Sequence, residues 1–140
     1  MKKSIKLVTC LFLLLSLSIQ AQQNNQKHCD AITLNRSIQF DGSSDTEEIK
    51  VEVADSAKKL YVSINSTIKS GYLTVEVYDP KGNKKGNFSI ESQVKSSNKK
   101  KELVCGQMQK HIDDPIQGNW VIKLIPNNVA GDVSICTSMM

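Results

Sequence analysis

Apolar side chains recur at every second position in short runs along most of this chain. Ile49, Val51 and Val53, for example, alternate with charged residues. Successive side chains of a strand point to opposite faces, so this spacing turns one face toward a core and the other toward water. The pattern therefore predicts about eight strands. Its runs lie at 32–40, 49–53, 60–64, 73–77, 88–90, 103–105, 120–124 and 133–135.

Stretches rich in Gly, Asn, Asp, Ser and Pro separate these runs. Such residues favour turns because they tolerate positive φ, fix φ or hydrogen-bond the local backbone. Short strands with one apolar face, divided in this way, are typical of an all-β antiparallel sandwich. The predicted turns lie at 41–45, 54–59, 66–71, 79–86, 96–100, 113–118 and 126–132.

The single tryptophan, Trp120, has the same parity as Ile122 and Leu124. A residue on the apolar side of a strand normally packs between the sheets of a sandwich. The neighbouring outward positions, Val121 and Lys123, carry no aromatic ring. We therefore predict that Trp120 fills the core and is not a platform for a ligand.

The amino-terminal residues have the features of a signal peptide. Three lysines precede the apolar stretch 7–19, and Ala21 is suited to cleavage. That stretch is shorter than the roughly 20 residues of a membrane span, so we predict an exported protein that does not span the membrane. The expected organisation is a signal peptide at 1–21, a polar lead-in at 22–30 and one domain at 31–140.

The charge balance argues against nucleic acid as a partner. Three of the 18 lysines and arginines lie in the signal peptide, which leaves a net charge of +1 against 14 acidic residues. Binding to nucleic acid needs a clustered basic surface. The only basic run, 99–101, lies in a polar stretch typical of a solvated loop.

The residues needed for catalysis are sparse. No G-x-S-x-G sequence is present, and His28 and His111 are the only histidines. These histidines and the cysteines form no C-x₂-C or H-x₃-H pairing of the kind that typical zinc sites use. We therefore expect a protein that is not an enzyme and needs no cofactor, calcium excepted.

Calcium is the metal that the sequence favours. The stretch "DGSSDTEE" at 41–48 places carboxylates at Asp41, Asp45 and Glu47, and calcium prefers such oxygen ligands. Thr46 stands where a helix–loop–helix calcium site needs glycine, so that type of site is excluded. A calcium site in a sandwich loop and a simple acidic loop both remain open.

Three cysteines follow the signal peptide, so at least one of them has no partner within the chain. Cys105 lies two residues after Leu103 and is expected to be a buried thiol. Cys29 precedes the first strand and Cys136 lies in the last. We expect a Cys29–Cys136 disulfide, which the oxidising compartments outside the cytoplasm permit.

Parity places Tyr61, Tyr72 and Tyr78 on outward positions. Tyr72 and Tyr78 belong to one predicted strand and face the same way, about 20 Å apart. We predict that these two residues contact a ligand, and that an extended partner suits this spacing.

Two stretches, "LTVEVYDPKGN" at 73–83 and "GNWVIKLIPNNVAGDVSI" at 118–135, resemble the bacterial pre-peptidase C-terminal domain. They are also similar to the P domain of proprotein convertases. The resemblance covers about residues 41–136 and implies a jelly-roll-like sandwich. Such domains usually accompany a peptidase domain, for which this chain has no room, so the resemblance implies an accessory or recognition module.

Together these features predict a periplasmic or extracellular, non-catalytic module. It would bind or support a protein or glycan partner at the cell surface. The alternative is a carbohydrate- or calcium-binding module with the acidic loop as its site.

Overall fold

The computed structural model describes residues 32–93 and 102–140, and every regular element in these two stretches is a β-strand. All strand pairs are antiparallel, which confirms the predicted all-β fold. The same stretches contain no helix that could span a membrane. The predicted signal peptide, 1–21, and lead-in, 22–30, lie outside them. The strands are β1 (Ile32–Ser43), β2 (Glu47–Val53), β3 (Lys59–Tyr78), β4 (Lys84–Ser92), β5 (Val104–Asp113) and β6 (Gly118–Met139).

The long strands β3 and β6 pair with each other along most of their length and connect two halves of the sheet. The first part of β6 and the second part of β3 lie between β2 and β4, in the order β2-β6-β3-β4. The other parts lie between β1 and β5, in the order β1-β6-β3-β5. We call these the β2–β4 half and the β1–β5 half. The jelly-roll order implied by the resemblance stays a prediction.

Side chains from both halves form one hydrophobic core. Ile49 and Leu124 contribute from the β2–β4 half, and Ile64 and Ile135 from the β1–β5 half. Trp120 is 2% exposed, and its indole Nε1 donates a hydrogen bond to the carbonyl oxygen of Ile116 at 2.8 Å. The prediction that Trp120 fills the core is confirmed.

Six strands account for the eight apolar runs because β3 and β6 each contain two of them. The predicted turns at 66–71 and 126–132 lie inside these strands, at shifts in the β3–β6 register. Gly71 has φ +83°, and a Cβ there would lie 2.3 Å from the carbonyl oxygen of Asn128. Asn128 itself has φ +51°. These residues therefore form bulges in paired strands, where their composition had predicted reversals of the chain.

The expectation that Cys105 is buried is wrong. In β5 the inward positions are Val104, Gly106 and Met108, and Cys105 is exposed. Leu103 and Val104 are both apolar, so the alternation in this short run fits either parity. Gly106 faces inward without a side chain because Ile90 of β4 occupies the space that a Cβ would need.

Candidate functional site

The outward side chains of the β2–β4 half form the surface that contains both predicted ligand-contacting tyrosines. Tyr72, Thr74, Glu76 and Tyr78 alternate along β3 with the buried residues Leu73, Val75 and Val77. β4 and β6 flank this row on either side, and β2 lies beyond β6. We call this surface the tyrosine face.

Tyr72 is the more accessible tyrosine, with 41% of its surface exposed. The sheet register places it between Glu91 of β4 and Asn127 of β6. Hydrogen bonds with Ser89 and Thr74 lower the pKa of Tyr72 below its usual value. The hydroxyls of Thr74 and Ser89 lie 3.0 Å apart, so an aromatic ring stands beside a patch of hydroxyl groups.

Tyr78 is held by charged neighbours. Its hydroxyl donates a hydrogen bond to Glu76 Oε2 at 2.6 Å, and Lys84 forms an ion pair with the other oxygen of Glu76. Lys84 Nζ also lies 5.7 Å from the centre of the Tyr78 ring. The hydrogen bond to Glu76 raises the pKa of Tyr78, and those from Lys84 and Tyr78 lower the pKa of Glu76. The hydroxyl proton of Tyr78 is therefore used in the hydrogen bond to Glu76. A ligand at Tyr78 would contact only its ring and the lone pairs of its oxygen.

A row of alternating charges crosses the same face. The register aligns Glu48 of β2, Lys123 of β6 and Glu76 of β3. Lys123 Nζ lies 3.3 Å from Glu48 Oε1, and Lys84 pairs with Glu76. Exposed ion pairs of this kind contribute little to stability. They do leave the tyrosine face patterned with both signs of charge.

The two tyrosines share a face but not a site. They lie six residues apart on one strand, a distance of about 20 Å. Tyr72 stands beside neutral hydroxyls, whereas Tyr78 belongs to an ion-paired network. Only a ligand that extends along β3 would contact both.

The acidic residues predicted to bind calcium surround the connection between β1 and β2. Asp41 pairs with Ala130 near the end of β1, Glu47 begins β2, and Asp45 lies between them; all three are exposed. The backbone N–H of Asp45 donates to Ser43 Oγ at 3.1 Å, a contact typical of a turn. Within 32–93 and 102–140, no three His, Cys, Asp or Glu residues are grouped to hold a metal. Calcium binding here stays a prediction.

The proposed disulfide partner Cys29 lies outside the described residues, so the Cys29–Cys136 bond also stays a prediction. Cys136 is partly buried in β6. Cys105 lies on β5 with its Sγ 3.7 Å from Thr67 Oγ1. In that half of the sheet Tyr61 pairs with His111, and their ring centres are 4.7 Å apart.

The sequence did not reveal the role of Asp79, which is 3% exposed at the end of β3. Its carboxylate accepts hydrogen bonds from the backbone N–H groups of Lys81 and Asn83, at 2.9 and 2.8 Å, and pairs with Lys85 at 3.2 Å. Burial opposes ionisation, but the hydrogen bonds from Asn83, Lys85 and Lys81 outweigh it and lower the pKa to about 2. Asp79 is therefore an ionised anchor of the β3–β4 turn and is unsuited to proton transfer near neutral pH. The sequence signal was Asp four residues before Asn in "DPKGN".

An open groove of about 370 Å³ lies between the edges of β1 and β2. Leu34, Val51 and Ala54 line it together with Lys50 and Glu52. It contains none of the predicted site residues.

No protein-family model and no curated protein sequence matches the chain. Among solved structures, the chain is similar to the crystal structure of a carbohydrate-binding module, CBM28, that is specific for non-crystalline cellulose. The identity is 13%, the match covers 74% of this chain and 70% of the other, and the TM-score is 0.45. A similarity of this size assigns no function. The resemblance to pre-peptidase C-terminal and P domains stays at the level of a shared β-sandwich pattern.

Proposed function

We propose that this protein is an exported, non-catalytic binding module that recognises a protein partner at the cell surface through its tyrosine face. The observation that carries the proposal is the 41% exposure of Tyr72 on the outward side of the paired strands β4, β3 and β6. Large amphipathic rings that are accessible before binding are typical anchors of protein interfaces.

The charges at the Tyr78 end of the tyrosine face favour a protein over a polymer that carries charge of one sign. Glu48, Lys123, Glu76 and Lys84 alternate in sign across the face, so a single-signed polymer would meet repulsion as well as attraction. A protein surface can match such a pattern position by position, which gives specificity more than affinity. Tyr78 extends the contact along β3, in keeping with a partner that covers about 20 Å of strand.

A second candidate, glycan binding at Tyr72, is favoured by the hydroxyls of Thr74 and Ser89 beside the ring. A sugar could stack on the ring and hydrogen-bond these groups. The two candidates share the site and differ in the ligand.

Site-specific photo-crosslinking in the producing cells separates them. A photo-reactive benzoylphenylalanine at position 72 should give one discrete protein adduct, identified by mass spectrometry. The same residue at position 65, which is exposed on the opposite half of the sheet, should not give that adduct. Purified protein with Tyr72→Ala should lose the partner identified in this way.

Equal adducts at positions 72 and 65, or a partner that binds Tyr72→Ala as well as the unchanged protein, would contradict recognition at the tyrosine face. A glycan array signal that disappears with Tyr72→Ala, in the absence of any adduct, would favour the sugar ligand.

A further inference from the structure

The outer surface of the β1–β5 half differs in chemistry from the tyrosine face. Its middle is formed by the outward residues from Tyr61 to Thr67 on β3 and the residues paired with them on β5, β6 and β1. Apart from Ile32 at the end of β1, these positions carry Asn, Gln, Ser, Thr, Cys, Tyr and His, one carboxylate, Asp132, and no Lys, Arg or Glu. The charged pair Lys59 and Asp113 lies opposite each other at one end. We call this surface the amide face.

The carboxamide groups of the amide face are available to a ligand. Asn65, Gln107 and Gln109 are exposed, and their carboxamides make no hydrogen bond within the part of the chain that the structure describes. On the tyrosine face, by contrast, Glu76 and Tyr78 use their polar atoms on each other and on Lys84. Each carboxamide offers two N–H donors and an acceptor oxygen.

The surface contour of the amide face suits a polymeric ligand that lies along the strands. Ser63 and Ser138, on the two central strands, are only 8% and 5% exposed although they point outward. The register places Ser63 beside the longer Gln109 of the edge strand β5. Small residues therefore lie low between longer side chains, and the Tyr61–His111 ring pair stands at one end. From that pair to Thr67 the face extends about 20 Å along β3.

We propose that the amide face binds a neutral polysaccharide chain. Sugar hydroxyls both donate and accept hydrogen bonds, as carboxamides and hydroxyls do. A phosphorylated, sulfated or uronate-rich polymer would find no cation in the middle of the face to pair with. An apolar partner would remove the carboxamides from water without replacing their hydrogen bonds. The proposal does not depend on the partner of the tyrosine face.

Affinity gel electrophoresis with the exported form of the chain tests this. Native gels should contain hydroxyethyl cellulose, glucomannan or dextran as neutral polymers and alginate as the charged one. We expect retardation in at least one neutral gel and none in alginate. Gln107→Ala and Gln109→Ala should each weaken binding by about three- to tenfold, the effect of losing one hydrogen bond. Asn87→Ala removes an exposed carboxamide from the tyrosine face and is the matched control, with unchanged binding.

Three results of the gel experiment would overturn the proposal: no retardation in any neutral gel, retardation that Gln107→Ala and Gln109→Ala leave unchanged, or retardation that Tyr72→Ala abolishes. The last of these results would assign the glycan-binding site to the tyrosine face. Dissociation constants should also change less than about twofold between about 50 and 500 mM NaCl, because a neutral ligand has no charge to screen. A strong dependence on salt would contradict a neutral ligand. Melting curves that match the unchanged protein show that each variant is folded.

Discussion

Replacing Trp120 with phenylalanine will destabilise the protein without touching either outer face. Trp120 is 2% exposed on β6 and pairs across the sheet with Val51 of β2. Phenylalanine keeps an aromatic ring in the core but removes the second ring of the indole and its N–H. The change therefore separates the packing role of Trp120 from any role in binding.

Two losses set the size of the effect. The missing part of the indole leaves a space in the core, which costs about 1–2 kcal/mol in lost burial and packing. The carbonyl of Ile116 loses its donor, which costs about 1 kcal/mol because this residue is only partly buried. Together they lower the free energy of unfolding by about 2–3 kcal/mol. For a domain of this size the melting temperature should fall by roughly 8–15 °C.

Urea and thermal unfolding followed by far-ultraviolet circular dichroism measure this change, since the variant has no tryptophan to report. Tyr72→Phe is the matched control: it alters an exposed aromatic residue and should change stability by no more than about 0.5 kcal/mol. If Trp120→Phe cost no more than this control, the indole would not be part of the core. The assignment of inward and outward positions along β6 would then be wrong.

Three further predictions test other parts of the structure. The pKa of Asp79 is lowered to about 2 in the folded protein, so its stabilising effect should be complete above its unfolded pKa near 4 and be lost as the pH falls through about 2. Urea unfolding from pH 7 to 2 should show this loss. Asp79→Asn should be less stable at pH 7, and its free energy of unfolding should depend less on pH. Gly71→Ala should lower the free energy of unfolding by at least about 2 kcal/mol, because a Cβ would collide with the carbonyl of Asn128. Gly42 also has positive φ but lies in open space, so Gly42→Ala should lower it by about 1 kcal/mol. Equal effects of the two substitutions would contradict the close approach of β3 and β6. The exposed Cys105 should react with a thiol reagent in the folded protein, and peptide mapping that finds this thiol modified only after unfolding would restore the buried assignment.

The strands and their inward faces were predictable wherever apolar and charged residues alternate strictly. In β2 the residues Ile49, Val51 and Val53 are buried and their neighbours are exposed, as the spacing predicted. The position of Trp120 followed from the same rule. Burial decides these positions because a slip of one residue would expose the whole apolar set.

The number of strands was not predictable in the same way. Gly and Asn favour positive φ both in turns and in bulges, so composition does not distinguish a chain reversal from a bend. At 66–71 and 126–132 the two bends pair with each other, and the backbone of Gly71 lies close to that of Asn128. That pairing is a long-range contact, which a local pattern does not contain. The parity of β5 was ambiguous for a simpler reason, since Leu103 and Val104 are equally apolar.

The two outer faces were only partly predictable. Parity correctly placed Tyr72 and Tyr78 on one face, but the pairing of Tyr78 with Glu76 and Lys84 depends on the β3–β4 register. The amide face could not be recognised from any single strand. Asn65 is ordinary as one exposed residue, and it becomes part of a neutral surface only when β5 places Gln107 beside it.

Recognition by the outward surfaces of the sheet is the central claim, and an NMR titration tests it most directly. The ligand is an oligosaccharide derived from the neutral polymer that retards the protein most. We predict that side-chain amide resonances of Asn65, Gln107 and Gln109 shift with a common dissociation constant, while the indole N–H of Trp120 and the amides near Tyr72 stay in place. Shifts concentrated around the groove between β1 and β2, or at the indole N–H, would contradict the claim.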